Sequence, residues 1–297
     1  MSKNIFMFEG QGTFEPGFGK SYLKNSTFKG YIEEISDLTK IDISDISWGK
    51  SSIKTPLDNK KLQISIFAVN YAIAKTIEDL IGTPNYVLGH SLGEVCALIY
   101  AKKLSLEDGC KLILKRGELM QNSTYNIEQG MLAIAISKNS DLIDSILNNN
   151  VSISNLNSSE QIVVSGLMKN LIKVKELCIK NQIKSTLLKT NIACHNSILN
   201  ETQNELSKTI DLLEFNDSEI DFIPINLNKV LSKKDEIKEN LKVHIVNQVD
   251  WQSNMHYMAS NFLDYNFIEI GSSNILKNFY IQDRIDLNIK LTRNFIF

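Results

Sequence analysis

Ser91 lies in Gly89-His90-Ser91-Leu92-Gly93, a G-x-S-x-G pentad between a short apolar run and a helix-forming run. A serine hydroxyl becomes a nucleophile when a sharp turn exposes it and a base takes its proton. Flanking glycines let the backbone pass closely, and the turn leaves Ser91 at a helix N-terminus. The N–H of Leu92 is then expected to face a developing oxyanion, with the helix dipole behind it. The chemistry implied is acyl transfer through a seryl ester. Four histidines are available as the base: His90, His195, His244 and His256. His90 belongs to the elbow itself, so its side chain is expected to point away from the reacting centre. His195 follows the last strand of a compact unit, in a turn from which a side chain reaches back.

The elements that must position these groups follow from periodicity and turn residues. Residues 5–8 read as a short buried strand entering the loop Glu9-Gly10-Gln11-Gly12. Residues 62–80 predict a mostly buried helix. Residues 86–88 form the strand before the elbow, and residues 94–102 the helix after it. Ser105 is the expected N-cap of a third helix reaching about Met120, with Glu107 and Asp108 favouring its dipole. The texture then changes. Strands are expected over residues 131–136, 151–155, 161–164 and 185–192, and helices over 141–148 and 171–181. That order is βαββαβ, the ferredoxin-like pattern. Helices over 198–213 and 235–246 and a strand over 267–270 complete the reading.

Bulk properties exclude other classes. The 297 residues are 43% hydrophobic, enough for a substantial core. The net charge of -2 gives no basic field for nucleic acid or a membrane surface. Cys96, Cys110, Cys178 and Cys194 lack CxxC spacing and suit reduced thiols in a cytoplasmic protein. The first eight residues hold an apolar run too short for a signal peptide. No stretch is long enough to span a bilayer.

With Glu94 added, the pentad resembles the active-site signature of malonyl-CoA:acyl carrier protein transacylases. These include the acyltransferase domains of fatty acid and polyketide synthases. Further blocks follow in order along the chain. Phe8-Glu9-Gly10-Gln11-Gly12 resembles the family's N-terminal loop, with Glu9 where proline is usual. Lys115 to Met120 resembles its arginine helix. Asn155-Leu156-Asn157-Ser158 and Gln161 to Gly166 resemble its inserted subdomain. Ala193-Cys194-His195 resembles its histidine turn. Asn247 to Trp251 and Glu269-Ile270-Gly271 resemble its C-terminal blocks.

The resemblance implies an α/β fold: an α/β-hydrolase-like large domain with a parallel sheet over residues 1–128 and 194–297, and an inserted ferredoxin-like subdomain over 129–193. It makes His195 the base of Ser91 and the backbone N–H groups of Gln11 and Leu92 the oxyanion donors. It places the carbonyl that orients His195 at His244, where glutamine is common, with Trp251 as anchor. It makes Arg116 the partner of the free malonyl carboxylate. A planar guanidinium holds a carboxylate bidentately and disfavours acyl groups that would leave its charge unpaired. Met120, one turn on, is expected in the pocket wall, and His90 joins the substrate-binding set. Cys194 matches a position tied to extender choice, although one methyl is worth only about 1–3 kcal/mol.

The expected reaction moves a malonyl or α-substituted malonyl group from malonyl-CoA to a phosphopantetheinylated acyl carrier protein, by a ping-pong route. No permanent cofactor and no metal are implied. A polyketide synthase assembly line is a further expected partner, and a free-standing cytoplasmic monomer the expected form. Two alternatives are an acyl hydrolase that strips carrier proteins and a non-catalytic carrier-docking module.

Overall fold

A computed structural model of the chain describes residues 3–49, 58–125, 127–137 and 140–295. Residues 1 and 2 of the N-terminal apolar run lie outside the described residues. β1 (Asn4–Phe8) is buried at every position. It is followed by α1 (Ser26–Thr39), α2 (Ile43–Trp48) and α3 (Asn59–Ile81). α3 is apolar on nearly all sides and therefore runs through the core. Asp58 caps it by accepting hydrogen bonds from the N–H groups of Lys60 and Lys61. Its buried polar residues Asn59, Gln63 and Asn70 stand four and seven positions apart, so they share one face.

β2 (Tyr86–Gly89) leads through the elbow into α4 (Leu92–Tyr100), which is buried throughout. α5 (Leu106–Asn122) begins at Ser105, whose side chain accepts from the Asp108 N–H as the sequence predicts. The next six elements are β3 (Gln129–Ile134), α6 (Ile143–Leu147), β4 (Ser152–Ser158), β5 (Gln161–Leu167), α7 (Met168–Lys180) and β6 (Ser185–Leu187). The chain continues with α8 (Asn200–Asp211), β7 (Asp221–Phe222), α9 (Lys234–Leu241), β8 (Val249–Asp250) and α10 (Trp251–Asn261). It closes with β9 (Asn266–Ile270), α11 (Ile275–Gln282) and β10 (Ile289–Leu291).

Two sheets result. The first has the order β10-β9-β1-β2-β7 and is parallel throughout. β1 pairs with β2 so that Phe8 faces Gly89. The loops after these two strands therefore leave the same edge, carrying Gln11 and Ser91. Ligands bind at this carboxyl edge in open parallel sheets. The second sheet has the order β6-β3-β5-β4-β8. Its first four strands are antiparallel and show the ferredoxin-like arrangement the βαββαβ order predicts.

Two differences bear on the site. The expected strand over 185–192 ends at Leu187, because the chain must turn to bring His195 back. The fifth strand, β8, comes from the C-terminal segment and pairs parallel with β4, Asn155 facing Val249. That pairing fastens the chain just after Asn247 to the smaller sheet.

Candidate active site

The parallel sheet presents the nucleophile. Gly89 lies so close to α4 that a Cβ there would stand 2.1 Å from the Gly93 carbonyl carbon. A Cβ on Gly93 would stand 2.1 Å from the Phe8 carbonyl oxygen. Glycine at both positions lets β2, the turn and α4 collapse onto β1. Ser91 absorbs the resulting turn at φ 53° and ψ -115°, a region side chains rarely adopt. Such strain costs about 1–3 kcal/mol and persists only where the surroundings enforce it.

The smaller sheet presents the base. The Ala193 N–H donates to Gln129 Oε1 on β3 at 2.9 Å. Asn196 Nδ2 donates to the Ser165 carbonyl on β5 at 3.0 Å. His195 is pinned between these anchors, itself at φ 56°. Its Nε2 lies 2.8 Å from Ser91 Oγ, and its Nδ1 lies 2.7 Å from the Asn247 carbonyl. A carbonyl only accepts, so Nδ1 carries the proton and Nε2 is free to take the hydroxyl proton of Ser91. Burial above all, then His244 and Arg116, hold the His195 pKa well below the usual histidine value. The resting imidazole is neutral, as a general base must be.

The orienting carbonyl therefore belongs to Asn247, not His244. The short turn after α9 carries the chain past His195, and β8 fixes Asn247 where its carbonyl meets Nδ1. His244 is nonetheless close. Its ring stands edge-on to His195 with centroids 5.7 Å apart, and its Nε2 lies 3.5 Å from Glu94 Oε2. His90, expected in the substrate-binding set, has its Nε2 2.9 Å from Asn157 Oδ1 on β4, and its ring packs on Trp251 and Phe279.

Arg116 is buried on α5, and its side chain donates to Gln63 Oε1 at 2.6 Å. Its Nε has no partner, and no carboxylate stands within ion-pair distance among the described residues. Burial lowers its pKa, partly offset by Cys194, Cys96 and Glu94. Glu94 cannot act as a full counter-charge near neutral pH, because burial pushes its pKa up to about 8. The site thus holds a desolvated guanidinium with donor capacity to spare, an arrangement that favours a bound carboxylate. Met120 is fully buried, and its sulfur accepts from Gln63 Nε2 at 3.5 Å, bracing the amide that holds Arg116. The Cys194 thiol is pushed up to about 11 by burial, with Arg116 acting in the opposite sense. It stays protonated and is no nucleophile at neutral pH.

Gln11 opens a short 3-10 turn after β1, and its Nε2 donates to Asn59 Oδ1 at 2.9 Å. Asn59 in turn donates to the Gly117 carbonyl at 3.1 Å, so α3 and α5 together brace the loop. Asn70 of α3 donates to the Glu9 carbonyl at 3.0 Å. The Glu9 side chain, standing where proline is usual, turns inward. It accepts from the Ser273 N–H and hydroxyl, and burial and Glu269 hold its pKa above the carboxylate range. The first N–H of α4, that of Leu92, leaves the helix at the Ser91 turn. Sequence reasoning missed Gln63, Asn59, Asn70 and Asn247. The first three carried a signal: polar residues at helical spacing on an otherwise apolar helix. Asn247 acts through its backbone and carried none.

Residues 5–271 match the Acyl transferase domain family. The chain is 26% identical over 284 residues to a malonyl CoA-acyl carrier protein transacylase of Bacillus subtilis, covering 93% of this chain and 89% of that protein. It is 27% identical over 282 residues to a polyketide biosynthesis malonyl CoA-acyl carrier protein transacylase of Bacillus velezensis, covering 91% and 93%. The crystal structure of a malonyl CoA-acyl carrier protein transacylase from Clostridium perfringens superposes with a TM-score of 0.86 at 26% identity, covering 98% of this chain and 93% of that one.

Proposed function

The chain belongs to the Acyl transferase domain family, and we propose that it carries a malonyl group from coenzyme A to the phosphopantetheine thiol of an acyl carrier protein. The observation that carries this reading is Arg116, a buried guanidinium close to the Ser91–His195 pair with no carboxylate partner among the described residues. An ordinary esterase has no use for it. A malonyl thioester brings the missing carboxylate.

In the first half-reaction His195 Nε2 takes the Ser91 hydroxyl proton as Oγ attacks the thioester carbonyl carbon. The N–H groups of Gln11 and Leu92 face the oxyanion, and the Asn247 carbonyl favours the imidazolium. The carbon–sulfur bond breaks, and the imidazolium returns its proton to the departing CoA sulfur. In the second half-reaction the carrier thiol gives its proton to His195 and attacks the seryl ester. Oγ leaves and is reprotonated. Arg116 holds the acyl carboxylate through both halves, and Met120 and Cys194 line the pocket beside it. Neither half-reaction calls for a metal or a permanent cofactor.

The reading takes residues 129–193 as the subdomain that delivers the base, and the chain as a cytoplasmic monomer. Among the described residues no helix is long and apolar enough to cross a membrane. The relative named for polyketide biosynthesis supports an assembly line as one destination of the acyl group.

The test is incubation with radiolabelled malonyl-CoA or acetyl-CoA, with and without holo carrier protein. Label on the protein from malonyl alone, passed to the carrier, is expected. Rapid release of free malonate would make the protein a hydrolase, and carrier binding without any label would make it a docking module.

A further inference from the structure

The two groups that grip opposite ends of a malonyl thioester stand on different elements. The Gln11 N–H lies on the loop after β1, and Arg116 lies on α5. A buried side chain joins the two elements. Asn59, the first residue of α3, accepts from Gln11 Nε2 at 2.9 Å and donates through Nδ2 to the Gly117 carbonyl at 3.1 Å. Its backbone N–H donates to Gln121 Oε1, one turn further along α5, at 3.2 Å. The orientation of the Asn59 amide follows from its partners. A carbonyl only accepts, so the amide nitrogen faces Gly117 and the oxygen is left for Gln11.

The joint is tight on the α5 side. A Cβ on Gly117 would stand 2.5 Å from Lys60 Cα, so the start of α3 presses on the backbone of α5. Gln63, one turn on from Asn59, accepts from Arg116 at 2.6 Å. Successive turns of α3 therefore hold the guanidinium and the helix that carries it. The loop is held from α3 as well, by Asn70 on the Glu9 carbonyl at 3.0 Å. With Glu9 fixed, the freedom left to the loop lies around Gln11, and Asn59 removes it.

We infer that Asn59 is a specificity-determining positioning residue: it fixes the span between the Gln11 N–H and the Arg116 guanidinium, and with it the length of diacid that reacts. The inference rests on the acyl-transfer reading above. A malonyl group has one carbon between its two carboxyl-derived carbons, and a succinyl group has two. The added methylene carries the carboxylate past the guanidinium or lifts the thioester carbonyl off its oxyanion donors. Fit in an apolar pocket separates acyl groups that differ by one methylene by only about 10–200-fold. Two polar anchors at a fixed separation add an orientational term, because a misplacement of about 1 Å costs about 100-fold in rate. Asn59 touches neither end of the acyl group and acts through Gln11 and α5.

The test is single-turnover acylation by malonyl-CoA and by succinyl-CoA, acid-quenched, with the Ser91 ester measured by mass spectrometry over a range of substrate concentrations. The wild type is expected to form the malonyl ester at least about 100-fold faster than the succinyl ester. Equal rates would overturn the inference. Asn59→Ala should slow malonyl acylation at saturation about tenfold, change half-saturation by less than about twofold, and leave succinyl acylation no slower. Gln11→Ala cuts the same bridge at its other end. It lies on a half-buried loop, keeps its backbone N–H, and should narrow the malonyl preference by a similar factor. The double variant should lose no more than either single one, since each cut already breaks the bridge. Additive losses, or equal losses with both substrates as a merely loosened site would give, would overturn the inference. A wild type that forms no malonyl ester would refute the acyl-transfer reading and the span with it. A wild type that does, with an unchanged malonyl-to-succinyl ratio in both single variants, would overturn the span alone.

Discussion

Ser91 and Arg116 are each held in a state that a free side chain avoids, and each can be tested through that cost. Ser91 occupies a left-handed backbone region because Gly89 and Gly93 press the elbow against β1. Glycine tolerates that region, so Ser91→Gly should abolish acylation yet stabilise the protein by about 1–2 kcal/mol in denaturant unfolding. Ser91→Ala should abolish acylation without that gain. Arg116 is buried with spare donors, and a bidentate carboxylate uses them. Arg116→Ala should lower kcat/KM for malonyl transfer roughly 100-fold and narrow the preference for malonyl over acetyl. Unchanged malonyl kinetics would refute the clamp. The Ser91–His195 pair was legible in the sequence because the elbow motif and the histidine turn point to those two side chains. Asn247 was not, since any residue offers a carbonyl, and the sequence placed that role three positions early.

At the scale of elements, one sheet delivers the nucleophile and the other the base. β1 and β2 lie side by side and parallel, which puts the Gln11 loop and the Ser91 elbow on one edge. Gln129 of β3 and Ser165 of β5 anchor the residues flanking His195. Gly93 is one of the two closest joints in this assembly, with Gly89. Gly93→Ala would drive a methyl into the Phe8 carbonyl and push α4 off β1. A loss of about 2–3 kcal/mol in stability and of the 2.8 Å Ser91–His195 contact is expected, seen as lost acylation in a variant that still unfolds cooperatively. The βαββαβ unit was legible because its strands alternate and its turns are marked. β8 was not, since two residues carry no period. α10 was missed because Gln252, Ser253 and Asn254 interrupt its apolar positions, and α11 because its apolar stripe spans only eight residues.

Over the whole molecule, the buried titratable groups set how stability depends on pH. Glu94, Glu9 and Glu269 all have raised pKa values, chiefly from burial, and Glu94 reaches about 8. The native state keeps protons there that the unfolded chain releases above about 4.5, so stability falls as pH climbs from there to 8. His90, His195 and His244 are lowered, again chiefly by burial. The unfolded chain protonates them below 6.5 while the native state does not, so stability also falls as pH drops below that value. The two trends oppose each other between about pH 4.5 and 6.5 and predict a plateau there, with losses on both sides. Thermal melts from pH 4 to 9 check this, and Glu94→Gln should flatten the loss between 6.5 and 8. A melting temperature that rises steadily to pH 9 would contradict it.

The central claim is that Ser91 carries a dicarboxylic acyl group between two thiols. Acid quenching after brief exposure to malonyl-CoA, peptide mass spectrometry and then a chase with holo carrier protein test it directly. A malonyl ester on Ser91, absent with acetyl-CoA and transferred to the carrier thiol, is the predicted result. An ester on another residue, or one that water removes while the carrier stays unloaded, would contradict it.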